Sequence, residues 1–230
     1  MITKRILQKV KRKIYQVIFG NFNVPVGNDY FGKKAEIYEA TRASSIFWRN
    51  ENRFLEKTIL KLTKEKDITT VLDLPCGTGR FYEFYEDCNI AYIGGDFSDD
   101  MLNLANQAIK RPNLGQNLKM ISTKIPLYNN SVDIVVCFRF LQWIIPLKEV
   151  KATLIEFHRV TRKFCLIELS VGRHRKRNKS LNENLTMWDN FNLDEITLLL
   201  REVGFEIKDF EFLYDDEENP NMYGFLCLKR

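Results

Sequence analysis

A short apolar run that ends in an acid and leads at once into a glycine turn is the most constraining feature of the sequence. Residues 71–80 read Val-Leu-Asp-Leu-Pro-Cys-Gly-Thr-Gly-Arg, and the segment after them predicts a helix. Such a turn places backbone N–H groups and a helix N-terminus at the carboxyl edge of a parallel sheet. Residues 35–64 predict a helical stretch, continuous or broken in the middle. From Thr69 onward, short apolar runs alternate with amphipathic segments, as in parallel strands joined by crossover helices. The strands of this part are predicted at residues 70–74, 91–94, 119–121, 134–138 and 164–169. The sequence therefore predicts an α/β fold.

The residues around this turn indicate the kind of ligand that it would hold. Asp73 ends the first predicted strand, and a second acid, Asp96, ends the next one, where such folds hydrogen-bond ribose hydroxyls. The turn lacks the Gly-Lys-Ser/Thr of a P-loop, and only Gly77 and Gly79 match the three glycines of a dinucleotide turn. An acid at the strand end suits an ammonium group better than phosphates, because like charges repel. S-adenosylmethionine has the ribose, the ammonium and a sulfonium.

Three segments in fixed order resemble the class I S-adenosylmethionine-dependent methyltransferases: residues 71–80, 92–102 and 125–135. The resemblance covers residues 69–230, which we expect to form the cofactor-binding domain, with residues 1–68 as a helical extension or lid. It implies a Rossmann-like seven-stranded sheet that is mostly parallel, with an antiparallel last strand and helices on both faces. It also implies that S-adenosylmethionine is the cofactor; no metal is expected.

The cofactor-binding residues follow from the resemblance, position by position. Asp73 and the glycine turn would hold the methionine moiety, Asp96 the ribose hydroxyls, and Phe97 and Met101 would border the adenine. The full predicted set is Asp73, Pro75, Cys76, Gly77, Gly79, Asp96, Phe97, Met101, Ser122 and Phe138.

The chain departs from the family pattern at three places. Pro75 replaces a glycine and has no N–H to donate. Ile121 and Ser122 stand where many relatives carry an acid that binds the adenine amino group. Trp143 follows the fourth strand, where relatives often have a histidine, so no histidine base is visible at that place.

The sequence names no firm catalytic base. Arg139 and His174 are the weak catalytic candidates. Arg139 would bind an anionic acceptor or pair with a neighbouring carboxylate, and His174 would act as a base or lie on the surface without a role. Substrate contacts are predicted for Tyr30, Tyr38, Arg42, Arg139 and Trp143.

Composition bounds the remaining possibilities. At 230 residues with a formal net charge of +5, the chain suits one globular core, and its basic residues gather in two places. Residues 2–19 predict a basic amphipathic helix, which would dock on the domain or lie on an anionic membrane surface. Residues 173–179 are a basic loop that would be solvated or would clamp phosphate. We expect a cytoplasmic protein without disulfides, because no secretory or membrane-spanning pattern is present and the five cysteines are scattered.

The sequence thus predicts a methyltransferase that acts on a small-molecule, glycan or lipid-linked acceptor. An RNA methyltransferase is the alternative enzyme, although no Asn/Asp-Pro-Pro-Tyr/Phe motif follows the fourth strand. A donor-binding accessory protein without catalysis is the non-enzymatic alternative.

Overall fold

A seven-stranded sheet organises the computed structural model, which describes residues 32–38, 45–65, 67–144, 147–172, 191–215 and 221–230. Its spatial order is β3-β2-β1-β4-β5-β7-β6, and the first five strands in that order run parallel. β7 is antiparallel to both of its neighbours. The strands are β1 Thr70–Asp73, β2 Ala91–Asp96, β3 Gly115–Lys119, β4 Val132–Cys137, β5 Thr161–Ser170, β6 Phe205–Tyr214 and β7 Met222–Lys229.

Three of the described helices begin at a side chain that caps them. Ser45 and Ser98 each accept a hydrogen bond from a backbone N–H three residues on, and Asn192 forms a reciprocal capping box with Glu195. The described helices are α1 Lys33–Glu36, α2 Ile46–Lys64, α3 Tyr82–Asp87, α4 Asp99–Ala108, α5 Leu147–Val160 and α6 Leu193–Glu202, with a 3₁₀ turn at Leu141–Trp143.

The sheet is buried on both faces. Along β4, Val135 and Cys137 belong to the core cluster that contains α5 and α6, whereas Ile134 and Val136 belong to the cluster that contains residues of α2, α3 and α4. This alternation follows from the two-residue period of a strand. Because both faces are covered, β4 is apolar throughout except for Asp133, which lies near its amino end.

The strand order reverses between β1 and β4, and the candidate site lies at this junction. Chain connections run outward from β1 toward β2 and β3 on one side, and from β4 toward β5 on the other. The carboxyl ends of β1 and β4 therefore border a crevice, which is where ligands bind in open α/β sheets. Asp73 ends β1, Arg139 follows β4 by two residues, and the Leu74-Pro75 peptide bond between them in sequence is cis.

The fold confirms the predicted sheet, its reversed last strand and the helices on both faces. The predicted third strand, residues 119–121, was wrong: β3 is Gly115–Lys119, with Lys119 opposite Asp96. This edge strand pairs with one neighbouring strand only, and its sequence is largely polar. The apolar pattern therefore predicted a strand in the residues that follow it. The predicted helix over residues 35–64 is described as α1 and α2.

Several predicted features lie outside the described residues. They include the basic helix at residues 2–19, the loop at residues 173–179, and Tyr30, Arg42 and His174. The division between residues 1–68 and 69–230 stays a prediction. Within the described ranges, no helix combines the length and the apolar character needed to cross a bilayer.

Candidate functional site

The glycine turn after β1 exposes bare backbone at the carboxyl edge of the sheet. Gly77 and Gly79 have φ values of 56° and 79°, in the left-handed region that favours glycine. A Cβ on Gly79 would lie 3.3 Å from Ala105 Cα, whereas one on Gly77 would meet nothing within 4 Å. The N–H of Cys76 donates to the carbonyl of Gly95 at 2.7 Å, which fixes the turn to β2. The turn is therefore packed against α4 at Gly79 and open at Gly77.

Asp73 is a buried acid with one oxygen free to accept a donor. Its side chain is 1% exposed, and no described residue donates to its Oδ2 atom. Burial raises the pKa of Asp73 to about 8; the positive charge of Arg80 opposes this rise and the charge of Asp96 adds to it. A cation placed beside Asp73 would satisfy Oδ2 and favour its ionised form.

Asp96 holds the turn and the start of α4 together. Its Oδ2 accepts from the N–H of Gly77 at 3.0 Å, and its Oδ1 accepts from the N–H of Ser98 at 2.9 Å. Burial raises the pKa of Asp96 despite these hydrogen bonds. Each carboxylate oxygen has a second lone pair, so Asp96 can still accept from a ligand hydroxyl.

The other predicted cofactor residues lie around the same edge with differing contacts. Phe97 is half-buried with the Lys119 ammonium 5.6 Å from its ring centre, and Met101 is buried in the first turn of α4. Ser122 is buried and shares a 3.0 Å hydrogen bond with Thr153 of α5.

Phe138 directly follows β4, and Pro75 directly precedes Cys76 in the turn. The ring of Phe138 packs in the core, with its centre 6.4 Å from that of Phe54 and 5.7 Å from that of Phe81. Pro75 is half-buried, and Cys76 is buried, which raises the pKa of its thiol.

A group of charged side chains, here called the Glu51 cluster, lies on the β4 side of Asp73. Glu51 of α2 is fully buried; its Oε2 pairs with Arg80 Nη1 at 2.8 Å and its Oε1 with Arg139 Nη1 at 2.9 Å. The cluster continues through the N–H of Arg139, which donates to Glu168 Oε2 at 2.7 Å. Tyr214 Oη donates to Glu168 Oε1 at 2.7 Å and completes the cluster.

The cluster joins five parts of the chain at one edge. Arg80 follows the glycine turn, Arg139 follows β4 with a φ of 56°, Glu168 lies near the end of β5 and Tyr214 ends β6. Burial raises the pKa of Glu168 to about 7, with Glu51 adding to the rise and Arg139 opposing it. Burial alone would lower the pKa of Arg139, but Glu51 and its other neighbours hold it above its ordinary value.

Three N–H donors of this region have no hydrogen-bond partner among the residues that the structure describes. They are Arg80 Nη2, Arg139 Nε and Trp48 Nε1, and all three atoms are buried. The Arg80 guanidinium lies between two rings, 4.6 Å from the centre of Trp48 and 4.1 Å from that of Phe81. A buried donor without a partner costs about 1–3 kcal/mol, so three of them in one place require an explanation.

Two of the predicted substrate residues outside the cluster can be placed. Tyr38 is half-buried, its ring centre is 6.1 Å from that of Trp48, and it contributes to the raised pKa of Arg139. Trp143 is half-buried in the 3₁₀ turn after β4. Arg139, predicted either to bind an anion or to pair with a carboxylate, does pair with one, Glu51.

Sequence reasoning missed Glu51, Glu168, Tyr214 and Trp48, although two of them carry a readable signal. Glu51 takes an apolar position on the buried stripe of α2, between Trp48 and Leu55. Glu168 interrupts an apolar strand. An acid in a buried pattern implies a partner, because an unpaired buried charge is costly.

Comparison with known proteins decides the family of this region. Residues 72–166 match the family model described as a methyltransferase domain. This part of the chain matches a methyltransferase domain, in agreement with the predicted class I S-adenosylmethionine-dependent family. The domain includes Asp73, the glycine turn, Asp96 and Arg139.

Individual relatives of the methyltransferase domain agree with this assignment. The malonyl-[acyl-carrier protein] O-methyltransferase of Hamiltonella defensa is 30% identical over 105 residues, which are 45% of this chain and 38% of that protein. The chain therefore matches less than two fifths of that relative's length.

Solved structures share the fold at lower identity. Magnesium protoporphyrin IX methyltransferase of Synechocystis PCC 6803 with bound S-adenosylhomocysteine superposes with a TM-score of 0.65 at 12% identity, over 88% of this chain and 97% of that one. A methyltransferase of Methanosarcina mazei gives a TM-score of 0.57 at 16% identity, over 71% and 93%.

The residues of the methyltransferase domain fit S-adenosylmethionine. The unpartnered Oδ2 of Asp73 suits the ammonium group, and the open backbone at Gly77 gives a ligand access to the turn. Asp96 has lone pairs for ribose hydroxyls. Ile121, which replaces the expected acid, is 43% exposed and offers no side-chain acceptor to an adenine amino group.

Proposed function

We propose that the protein transfers a methyl group from S-adenosylmethionine to a small-molecule, glycan or lipid-linked acceptor. The observation that carries the proposal is the buried Asp73, with its unpartnered Oδ2, beside an open glycine turn at the strand-order reversal of a methyltransferase domain. The matched relative is a methyltransferase of malonyl-[acyl-carrier protein], which supports an acceptor other than nucleic acid.

In this proposal the protein contributes mainly alignment. Bound S-adenosylmethionine supplies an electrophilic methyl group on a good leaving group. Asp73 would pair with its ammonium, Asp96 would accept from the ribose hydroxyls, and Phe97 and Met101 would border the adenine. A fixed approach of the two reactants is worth several kcal/mol, because the entropy of bringing them together is lost on binding.

The acceptor would lie on the β4–β5–β6 side of the donor, next to Arg139. An acceptor hydroxyl would have to lose a proton there, and Glu168 with Tyr214 is the described pair able to hold one. His158 does not serve this purpose, because its ring nitrogen faces the Arg230 carbonyl beside the amino end of β5. His174 stays a candidate base from the sequence.

Transfer of a labelled methyl group tests the function. Protein and S-adenosylmethionine labelled in the methyl group are incubated with small-molecule, lipid and RNA fractions of a cell extract. We expect label in the small-molecule or lipid fraction, and its loss with Asp73→Asn. Label confined to RNA would favour the alternative enzyme, and donor binding without labelling of any fraction would favour the accessory protein.

A further inference from the structure

The three unpartnered donors near Glu51 share one property: each is an N–H group that lacks an acceptor. Two belong to guanidinium groups anchored on the same carboxylate of Glu51, and the third belongs to Trp48, whose ring packs on the Arg80 guanidinium. The three side chains that carry these donors therefore share one place, the Glu51 cluster at the β1–β4 edge. Buried donors are normally paired, so their deficit indicates a missing acceptor group.

The charges around this point favour an anion. Arg80 and Arg139 are two cations in direct contact with a single carboxylate, that of Glu51. The other acids nearby are Asp73 and Glu168; Glu168 bonds to the backbone N–H of Arg139 and to Tyr214, and not to a guanidinium. Burial raises the pKa of both acids, so neither offsets the second cation fully at neutral pH.

The enclosure and the charge of this region favour a small, singly charged group. The side chains of Arg80 and Arg139 are only 11% and 15% exposed, and the Arg80 guanidinium packs against two aromatic rings, those of Trp48 and Phe81. Two guanidinium groups share one carboxylate, and this excess of positive charge matches a monoanion better than a phosphate dianion. Guanidinium N–H groups match the planar geometry of a carboxylate.

We propose that Arg80, Arg139 and Trp48 bind a carboxylate group of a ligand at the β1–β4 edge. The inference rests on the proposed function, because the ligand is then the methyl donor or its acceptor. Arg80 follows the donor-binding turn and Arg139 follows β4 on the acceptor side, so the carboxylate could come from either molecule.

Calorimetric titration distinguishes the two sources. The full chain is titrated with S-adenosylhomocysteine and with its decarboxylated analogue, which keeps the amine but lacks the carboxylate. Malonate, the simplest acceptor-side probe, is titrated with and without S-adenosylhomocysteine present. A donor carboxylate predicts that decarboxylation weakens binding about tenfold or more, and an acceptor carboxylate predicts that malonate binds.

Variants test whether the named donors are responsible. Trp48→Phe removes one N–H and keeps a ring on Arg80. We expect it to weaken binding of the carboxylate ligand about threefold to tenfold. Arg139→Met leaves Glu51 paired with Arg80, and we expect it to weaken binding of the carboxylate ligand tenfold or more. Arg111→Met is the matched control, because Arg111 also pairs with a buried glutamate, Glu86, but lies just before β3 at the opposite edge of the sheet.

The outcomes separate this inference from the proposed function. The carboxylate site is contradicted if decarboxylation has no effect and malonate does not bind. It is also contradicted if Trp48→Phe and Arg139→Met change carboxylate binding no more than Arg111→Met does. Thermal unfolding of each variant shows that it is folded. If the wild type does not bind S-adenosylhomocysteine at all, the proposed function fails, while the malonate titration still tests the site.

Discussion

Asp73 combines deep burial with an unsatisfied oxygen, an arrangement that is costly in the ligand-free protein. Burial raises its pKa to about 8, so most Asp73 side chains are protonated at neutral pH. The unfolded chain ionises this residue near pH 3.8. The stability that it contributes is therefore complete below pH 3.8 and is lost as the pH rises through about 8.

Donor binding should release the Asp73 proton, since an ammonium group favours the ionised carboxylate. We expect the affinity for S-adenosylhomocysteine to rise between pH 6 and pH 8, by up to about tenfold per pH unit. Calorimetry in buffers of different ionisation enthalpy measures the released proton. Asp73→Asn should abolish the release, weaken binding, and raise the free energy of unfolding of the ligand-free protein at pH 8.5. Proton release that persists in Asp73→Asn would contradict this account.

Single residues of the site differed in how well the sequence predicted them. Asp73, Gly77, Gly79 and Asp96 could be predicted because their spacing along two strands and one turn is local. Glu51 and Glu168 could not, because their hydrogen-bonding partners lie 29 to 88 positions away in the sequence, and only the folded sheet brings the pairs together. An isolated acid in an apolar pattern shows that a partner exists, but not which one.

Helix α2 is held over the site by Glu51, which contacts both the glycine turn and the segment after β4. Glu51→Gln would leave two buried guanidinium groups without a full counter-charge. We expect the free energy of unfolding to fall by about 3–5 kcal/mol, as measured by urea denaturation. Glu211→Gln is the control, because its pairs with Arg53 and Lys57 of the same helix are exposed and worth about 1 kcal/mol or less. Equal losses in the two variants would refute the anchoring role.

Strands β1 and β4 are joined at the other edge of the sheet by Asp133. Its Oδ2 accepts from the N–H and hydroxyl groups of Thr69 and Thr70 at 2.8–3.0 Å, and its Oδ1 pairs with Arg162 at 2.7 Å. Burial would raise the pKa of Asp133, but Arg162 and the threonine donors outweigh burial and hold it well below its ordinary value.

Replacing Asp133 should therefore have a pH-dependent cost. Asp133→Asn is expected to lower the free energy of unfolding by about 1.5–3 kcal/mol at pH 7. A lowered pKa gives stability that is present above pH 3.8 and is lost as the pH falls below it, so the difference from the wild type should shrink in acid. Urea unfolding of both proteins at pH 7 and pH 2.5 measures this difference in the free energy of unfolding. A difference of the same size at the two pH values would count against this role of Asp133. Asp209→Asn, at an exposed position on β6, should change stability little at either pH.

Buried strands were predicted better than the edge strand. β1, β4 and β5 contain mainly apolar runs because both of their faces are covered, and this pattern is visible in the sequence. β3 is paired on one side only and is mostly polar, so its position depends on its register with β2, which the sequence does not encode locally.

Across the whole sheet, the two halves of the candidate site lie on the two sides of the strand-order reversal. Asp73 and Asp96 end β1 and β2, and the Glu51 cluster extends over the ends of β4, β5 and β6. The resemblance predicted the donor half residue by residue. The proposed acceptor half depends on long-range pairs, and the roles of the residues in both halves stay predictions, as do those of Tyr30, Arg42 and His174.

Calorimetric titration of S-adenosylhomocysteine into the wild type and Asp96→Ala tests the central claim most directly. The account predicts saturable binding, with a dissociation constant on the order of micromolar, and a loss of about 1.5–3 kcal/mol in Asp96→Ala, roughly tenfold or more in affinity. Absence of binding to the wild type would contradict it. Pro75 and Ile121, where the chain departs from its family, would then be the first positions to examine.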